Sequence, residues 1–334
     1  MRQPPFLREG SSISLVAPSF GCATEPYATR LDVSIKHLKR LGYRVEEGPN
    51  ARLAVGVAGS NVPELRGQEI NDAFASDADL ILSVGGGETM CETLPYVDFE
   101  AIKRGKPKWF MGFSDNTNLT FTLATLADTM TVYGPCAPSF FEKKLRHAQK
   151  DALDMLRGET HFEGYPKWSL GGSNKEHPLW GYRANRPKII TPHGYEKPFE
   201  GLMLGGCLDC LALLCGTRFD RTKEFIAAHP EGIVWFLEAC DLNPLALRRS
   251  YFQLKEAGWL DNAKGFLLGR PYSAQEEFLG VDRFSAAIDI LGPLGVPLLI
   301  DVDLGHLPPS MPIKTGAHAR VGFEKGNLIV DYLE

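Results

Sequence analysis

A serine lies at the turn between a predicted strand and a predicted helix. In the segment WFMGFSDN, the apolar residues 109–113 lead into Ser114 and Asp115. A serine at such a turn exposes its hydroxyl at the carboxyl edge of the sheet, where neighbouring N–H groups and the helix dipole favour negative charge. This setting suits a nucleophile beside an oxyanion hole. The alternative is an ordinary helix N-cap, since the second glycine of a G-x-S-x-G motif is absent.

A glycine-rich turn follows a second apolar strand. After residues 78–84 the sequence continues with Gly85, Gly86 and Gly87. Glycines let the backbone approach a ligand and present bare N–H groups, so this turn could cradle a phosphate or an oxyanion. The spacing is not G-x-G-x-x-G and no Walker lysine follows, so the turn matches a nucleotide-binding fingerprint poorly. A tight turn without a ligand explains the glycines equally well.

A carboxylate and an imidazole follow two further predicted strands. Glu238 ends the apolar run GIVWFLE, and His306 lies in the loop DLGHLPP. An unpartnered carboxylate is costly to bury, and the apolar residues before Glu238 argue against a surface position. A loop histidine of this kind is as often a turn residue as a functional one. Together with Ser114, these are the residue types that a Ser–His–carboxylate triad needs, in which histidine takes the serine proton and the carboxylate orients the imidazole.

Other reactive side chains have simpler interpretations. Cys207 and Cys210 lie in an apolar stretch, which favours buried structural thiols. No second cysteine pair has zinc spacing, so we expect no metal site. Asp301 and Asp303 are interpreted as charges at a strand end rather than as a cation site.

The candidate site residues would be positioned by alternating strands and helices. In the first half of the chain, apolar spacing predicts helices over 27–41, 63–75 and 116–127 between strands at 12–17, 43–46, 78–84 and 109–113. Such alternation implies an α/β fold with a doubly wound parallel sheet and helices on both faces. We expect an N-terminal domain at 1–157, a connecting segment with a substrate loop at 158–198, and a C-terminal domain at 199–334.

The C-terminal part mixes both element types. We predict an apolar helix over 205–215, followed by strands at 232–237, 265–268 and 297–301 and helices at 245–257 and 283–291. Residues 317–323 and 327–333 alternate like an antiparallel hairpin around Lys325 and Gly326.

Composition excludes several classes of protein. The 334 residues carry a net charge of -5, so no basic surface for nucleic acid is expected. No apolar stretch approaches the ~20 residues of a membrane span, and residues 1–10 lack the apolar run of a signal peptide. Seven scattered cysteines are typical of a reducing compartment rather than of a disulfide framework. These features favour a cytoplasmic enzyme or binding protein.

The motifs resemble those of a known family, the serine peptidases that include LD-carboxypeptidases and the microcin C self-immunity proteins. The resemblance covers nearly the whole chain and is carried by short segments in the same order: VAPS at 16–19, SVGG at 83–86, LPYVD at 94–98, GFSD at 112–115, YGP at 133–135, GG at 205–206, LE at 237–238 and GH at 305–306.

The resemblance implies a serine hydrolase with Ser114 as nucleophile, His306 as general base and acid, and Glu238 as the carboxylate. It implies an oxyanion hole made by the N–H groups of Gly86 and Asp115. The fold it implies has a flavodoxin-like or class I amidotransferase-like sheet in the N-terminal domain. A smaller mixed α/β domain with swivelling β-barrel character follows. It further implies a homodimer that needs no cofactor or metal.

One departure from the family pattern and one similarity to a branch of the family bear on the substrate. Cys207 stands where the family commonly has asparagine, so any substrate contact made by that side chain differs here. The segment containing Trp168 and Trp180 is similar to the microcin-immunity branch, where an aromatic residue stacks on a nucleobase. The expected substrate contacts are Gly85, Gly87, Trp180 and Cys207.

Three functions remain open at this point. A hydrolase of this family would cleave either the L,D bond of a cell-wall tetrapeptide or the amide of a peptidyl- or aminoacyl-nucleotide. A second possibility is a non-catalytic binding protein on the same scaffold. The third is a nucleotide-binding α/β protein that uses residues 85–87.

Overall fold

The chain folds into two compact units, each built around its own sheet. The computed structural model describes residues 1–172 and 174–333. The first unit comprises Met1–Glu159, Gly172–Tyr182 and Pro312–Lys314, and the second comprises Thr160–Gly171, Arg183–Met311 and Thr315–Glu334.

The first unit alternates strands and helices as the apolar spacing predicts. Its elements are β1 (Ser12–Val16), α1 (Tyr27–Arg40), β2 (Arg44–Glu47), α2 (Pro63–Ala75), β3 (Leu80–Ser83), α3 (Phe99–Arg104), β4 (Trp109–Gly112), α4 (Thr117–Thr125), β5 (Thr131–Tyr133) and α5 (His147–Leu156). Every residue of β3 and β4 is buried, as expected for parallel strands covered on both faces.

The first sheet is a doubly wound parallel sheet. Its strands lie in the order β2-β1-β3-β4-β5, all parallel, and the edge strand Ile313–Thr315 follows β5. The order reverses between β1 and β3, and ligands of open α/β sheets bind at the carboxyl ends of strands near such a point. The loops after β1, β3 and β4 are therefore the natural place for a site in this unit.

The second unit is a mixed α/β arrangement. Its elements are β6 (His161–Glu163), β7 (Lys167–Trp168), β8 (Arg186–Pro187), β9 (Thr191–His193), β10 (Phe199–Cys207), α6 (Leu208–Leu214), α7 (Thr222–Ala228), β11 (Ile233–Glu238), α8 (Pro244–Glu256), β12 (Ala263–Gly269), α9 (Arg283–Leu291), β13 (Leu298–Val302), β15 (His318–Glu324) and β16 (Asn327–Tyr332). The strand Ile313–Thr315 of the first sheet, which lies between β13 and β15 in the sequence, is β14.

The second sheet has eight strands in the order β6-β16-β15-β10-β11-β12-β13-β9. Strands β10 to β13 are parallel, and the outer strands pair antiparallel. Within the residues that the structure describes, β6 and β9 are the two ends of this sheet, and no closed barrel is found. The hairpin predicted near the C-terminus is confirmed as β15 and β16.

One element differs from its sequence-based prediction. Residues 205–207, predicted to begin an apolar helix, continue strand β10, and α6 starts only at Leu208. The strand extends because it pairs in parallel with β11 to its last residue, where Cys207 lies opposite Glu238. Continuous apolar residues do not distinguish a buried strand from a buried helix, so the sequence pattern alone places this boundary wrongly.

None of the described helices combines the length and the apolar character that crossing a bilayer requires.

Candidate active site

The turn after β4 holds Ser114 in a strained backbone conformation. Its φ of +63° is a left-handed value that residues other than glycine adopt infrequently and that is often found at functional sites. The Ser114 N–H donates to the hydroxyl of Tyr133, the last residue of β5, at 2.9 Å. The N-cap of α4 is Asn116, so Ser114 does not serve as that cap. Ser114 thus lies on a strained turn between strand β4 and helix α4.

The carboxylate of Asp115, the residue after Ser114, forms hydrogen bonds that connect the turn after β4 with the loops after β1 and β3. Its Oδ2 accepts from the Ser19 hydroxyl at 2.5 Å and from the Met90 N–H at 2.9 Å, while its Oδ1 accepts from the Asn118 amide at 2.9 Å. Asp115 is buried, and burial raises the pKa of its carboxyl although these hydrogen bonds oppose the shift. The loops after β1 and β3 are thus fixed to the turn that carries Ser114.

The glycine-rich turn lies directly against Ser114. A Cβ atom on Gly86 would lie 3.1 Å from the Cβ of Ser114 and 3.3 Å from its Oγ, closer than most real contacts of this kind. The Gly85 carbonyl accepts from the Asn116 side chain at 2.8 Å, and the Gly86 carbonyl accepts from the Phe20 N–H at 2.9 Å. Because no side chain separates them, the Gly86 backbone and the Ser114 side chain can face one reacting group.

In the second unit, the structure brings Glu238 and His306 together. The Oε2 of Glu238 lies 2.7 Å from Nδ1 of His306, and the carboxylate is fully buried while the imidazole is 14% exposed. Glu238 is the last residue of β11, and His306 lies in the loop that follows β13. A carboxylate hydrogen bonded to Nδ1 fixes the tautomer and orientation of a histidine, so that Nε2 is the nitrogen that can accept a proton.

Charge and burial act in opposite directions on this histidine. Burial lowers the pKa of His306, but the negative charge of Glu238 and the hydrogen bonds that the imidazole makes with Cys240 and Glu238 outweigh it, so the pKa lies well above its usual value. The same contact with His306 lowers the pKa of the Cys240 thiol, although burial raises that pKa overall.

Asp209, at the start of α6, fixes the chain beyond Glu238. Its Oδ2 accepts from the Cys240 N–H at 3.0 Å and from the Cys207 thiol at 3.2 Å, and its Oδ1 accepts from the Asp241 N–H at 2.9 Å. Cys207 and Cys210 are buried, as the apolar pattern predicts. The hydrogen bond with Cys210 and then burial hold the pKa of the Cys207 thiol well above its usual value.

The aromatic residue expected to act as a stacking platform is exposed. Trp180 is 61% exposed and stacks on His177, with ring centroids 4.0 Å apart. Arg30, in α1, holds this segment by donating to the carbonyl oxygens of Pro178 at 2.6 Å and Trp180 at 2.8 Å. The indole therefore lies on a fixed backbone with its side chain open to solvent.

Gly305 provides the close approach between the histidine loop and Glu238. It has φ +101°, and a Cβ atom there would lie 2.5 Å from Oε2 of Glu238. We expect Gly305→Ala to lower the free energy of unfolding by about 1–2 kcal/mol from the backbone conformation and by roughly 1–3 kcal/mol more from the overlap.

Thermal unfolding of Gly305→Ala is compared with that of Gly280→Ala as a matched control. Gly280 has a similar φ of +78°, but a Cβ atom added there would meet nothing within 4 Å, so that variant carries only the backbone cost. Equal losses of stability in the two variants would contradict the close approach to Glu238.

Within residues 1–172 and 174–333, no group of three or more His, Cys, Asp or Glu side chains is arranged to hold a metal ion. Sequence reasoning missed several side chains that surround Ser114 in the first unit or the Glu238–His306 pair in the second. These are Ser19, the Asp115 carboxylate, Tyr133, Asp209 and Cys240. Of them, Ser19 carried a usable signal, because it follows the carboxyl end of β1 near the point where the strand order reverses.

Comparison with known proteins gives the family. A family model described as the LD-carboxypeptidase N-terminal domain matches residues 13–134, and one described as the LD-carboxypeptidase C-terminal domain matches residues 200–321. The chain is 24% identical over 336 residues to a Bacillus subtilis protein named "Probable murein peptide carboxypeptidase", covering 98% of this chain and 94% of that protein. It is also 24% identical to the Escherichia coli microcin C7 self-immunity protein MccF over 329 residues, or 92% and 90% of the two chains.

Solved structures share the fold. MccF in complex with glutamyl sulfamoyl guanosine superposes with a TM-score of 0.84 at 21% identity over 99% of both chains. An MccF-like protein from Bacillus anthracis gives a TM-score of 0.83 at 22% identity over the whole of both chains. One family model spans the segment with Ser114 and the other spans the segment with Glu238 and His306, and together they cover most of the sequence. The chain therefore belongs to the LD-carboxypeptidase family.

Proposed function

We propose that this protein is a serine carboxypeptidase-like hydrolase that cleaves an amide bond with Ser114, His306 and Glu238. The observation that carries the proposal is the 2.7 Å contact between the buried Glu238 carboxylate and Nδ1 of His306. A carboxylate buried at that position has a role in orienting an imidazole and stabilising its charged form. The strained turn at Ser114 and membership of the family support the serine as the nucleophile.

The proposed reaction assigns one role to each group. The Oγ of Ser114 attacks the scissile carbonyl carbon while Nε2 of His306 takes the hydroxyl proton, and the N–H groups of Gly86 and Asp115 stabilise the oxyanion. His306 then gives this proton to the leaving amine as the C–N bond breaks. Water, deprotonated by His306, hydrolyses the resulting ester and restores the Ser114 hydroxyl. The mechanism requires Nε2 of His306 within hydrogen-bonding reach of the serine.

Two substrate classes fit this chemistry. One is the L,D-peptide of a cell-wall fragment, which corresponds to the murein peptide carboxypeptidase named among the relatives. The other is a peptidyl- or aminoacyl-nucleotide, since structures of MccF hold glutamyl sulfamoyl guanosine and aspartyl sulfamoyl adenosine. The exposed, stacked indole of Trp180 favours the second class, because a base can stack on such a ring.

A parallel assay tests the proposal. Purified protein is incubated separately with a murein tetrapeptide and with an aminoacyl sulfamoyl adenosine, and products are identified by mass spectrometry. We expect release of the terminal D-amino acid from the first or of the free amino acid from the second. If Trp180 is a base platform, Trp180→Ala raises KM for the nucleotide substrate while Trp180→Phe, which keeps a stacking ring, does not. Absence of turnover with both substrates would count against a hydrolase.

The raised pKa of His306 sets the expected pH dependence. The histidine must be neutral to accept the serine proton, so kcat/KM falls as the pH drops through its pKa. Because the pKa lies above its usual value, half-maximal kcat/KM is expected above about pH 6.5. Glu238→Gln removes the charge that raises this pKa and should shift the midpoint to lower pH. A midpoint that stays unchanged in the variant would contradict the pairing.

A further inference from the structure

The loop that carries His306 is closed at its base by Asp303. The Asp303 carbonyl accepts from the Met311 N–H at 2.7 Å, which joins the two ends of the loop. Inside the loop, the Gly305 N–H donates to the Ser310 hydroxyl at 2.9 Å. The position of the imidazole therefore depends on the position of Asp303, three residues before it.

The carboxylate of Asp303 is fully buried and surrounded by donors. Arg270, which follows β12, donates through Nη2 to Oδ1 at 2.6 Å, and the Tyr165 N–H donates to Oδ2 at 2.7 Å. Lys188 lies 3.8 Å from Oδ2. A buried carboxylate is stable only when paired and hydrogen bonded, and here both oxygens have partners.

Arg270 connects the same carboxylate to two further parts of the second unit. Its guanidinium donates through Nη1 to the Asp301 carbonyl at 2.8 Å, and it lies 5.2 Å from the centre of the Trp168 ring. Arg270 is 2% exposed. A planar guanidinium can make these two hydrogen bonds and the ring contact at once, which a lysine ammonium cannot.

We propose that Asp303, held by Arg270, is a positioning residue that sets the place of the His306 imidazole. The inference rests on the proposed function. Asp303 acts by fixing the base of the loop, and Tyr165 and Trp168 tie that base to the start of the connecting segment. Displacing a catalytic group by about 1 Å costs on the order of a hundredfold in rate, so the pair should matter for kcat more than for KM.

Asp303→Asn is compared with Asp301→Asn. The control makes the same chemical change two residues away, where the Asp301 carboxylate pairs with Arg283 at 2.7 Å and, within the described part of the chain, makes no side-chain hydrogen bond to the loop 303–311. We expect Asp303→Asn to lower kcat by about a hundredfold with KM little changed, and Arg270→Lys to give a smaller loss. Asp301→Asn should retain kcat. Equal kcat in both aspartate variants would overturn the proposal.

A second readout does not require turnover. We expect the Nδ1 proton of His306, which lies between the ring and the Glu238 carboxylate, to give a far-downfield proton resonance in NMR spectra of the full chain. We expect this resonance to broaden or disappear in Asp303→Asn and to persist in Asp301→Asn. If Asp303→Asn does not fold, the double variant Asp303→Asn/Arg270→Met, which removes both buried charges, is measured in its place. An unchanged resonance in the folded variant would overturn the positioning role.

The two readouts separate the possible failures. If the wild-type protein hydrolyses neither substrate, the proposed function fails, and the NMR comparison still tests the positioning of His306. If hydrolysis occurs but Asp303→Asn changes only the melting temperature, the pair has a structural role alone and the inference is wrong.

Discussion

Ser114→Ala should reduce kcat by about a millionfold, to a level set only by binding and the oxyanion hole. Removing the hydroxyl leaves no atom to form the ester intermediate, while the left-handed backbone at this position is as strained for alanine as for serine. The change removes one oxygen atom from a half-buried side chain, so stability should change little. Turnover is measured by mass spectrometry on whichever substrate the wild type cleaves.

A control variant distinguishes the loss of the Ser114 hydroxyl from a disturbance of the turn around it. Tyr133→Phe removes the hydroxyl that accepts from the Ser114 N–H but leaves the Ser114 hydroxyl in place. It should keep most of the activity that Ser114→Ala loses. Comparable turnover by Ser114→Ala and the wild type would rule out Ser114 as the nucleophile.

Glu238→Gln should lower kcat by about ten-thousandfold. Glutamine has nearly the same shape, but its amide can present an N–H group to Nδ1 of His306, which then holds the wrong tautomer for accepting the serine proton. The carboxylate is fully buried and lies 2.7 Å from the ring, so no water replaces its charge at that distance. Steady-state kinetics near the pH optimum of each protein measure the loss apart from the shift in pKa.

Glu200→Gln serves as the matched control, because this glutamate is exposed and lies in β10 of the same sheet. Its only described ion pair is with Arg320 at 3.7 Å, on the surface. Exposed pairs of this kind contribute little, so kcat should be unchanged. A loss of less than tenfold in Glu238→Gln would show that the buried carboxylate does not orient the catalytic imidazole.

Local patterns in the sequence predict the strand–helix alternation of the first unit. Apolar spacing identifies α1 and α2 to within a residue, and the turn chemistry after β3 and β4 indicates where Gly86 and Ser114 lie. These features depend on residues close together in the chain. The parallel pairing follows from the alternation itself.

Features that depend on distant partners are not predictable in this way. The sequence pattern favours strand-end charges at Asp301 and Asp303, yet both are buried and paired with Arg283 and Arg270. Nothing near Asp303 in the sequence indicates an arginine 33 residues away. The end of the strand at Cys207 escapes prediction for the same reason, because only its pairing with β11 distinguishes it from the helix that follows.

The most direct test of the proposed proton relay among Ser114, His306 and Glu238 is the rate at which a fluorophosphonate labels Ser114. The reagent reacts with a serine only when a base takes the hydroxyl proton, so the labelling rate tests, without a known substrate, whether His306 acts on Ser114 as the proposed function requires. Labelled peptides are identified by mass spectrometry in the wild type and in His306→Ala. We predict that labelling is confined to Ser114 in the wild type. In His306→Ala we predict labelling at least roughly a thousandfold slower, because removing one residue of a triad removes most of its effect. Equal labelling rates in the two proteins, or labelling of a different serine, would contradict the relay.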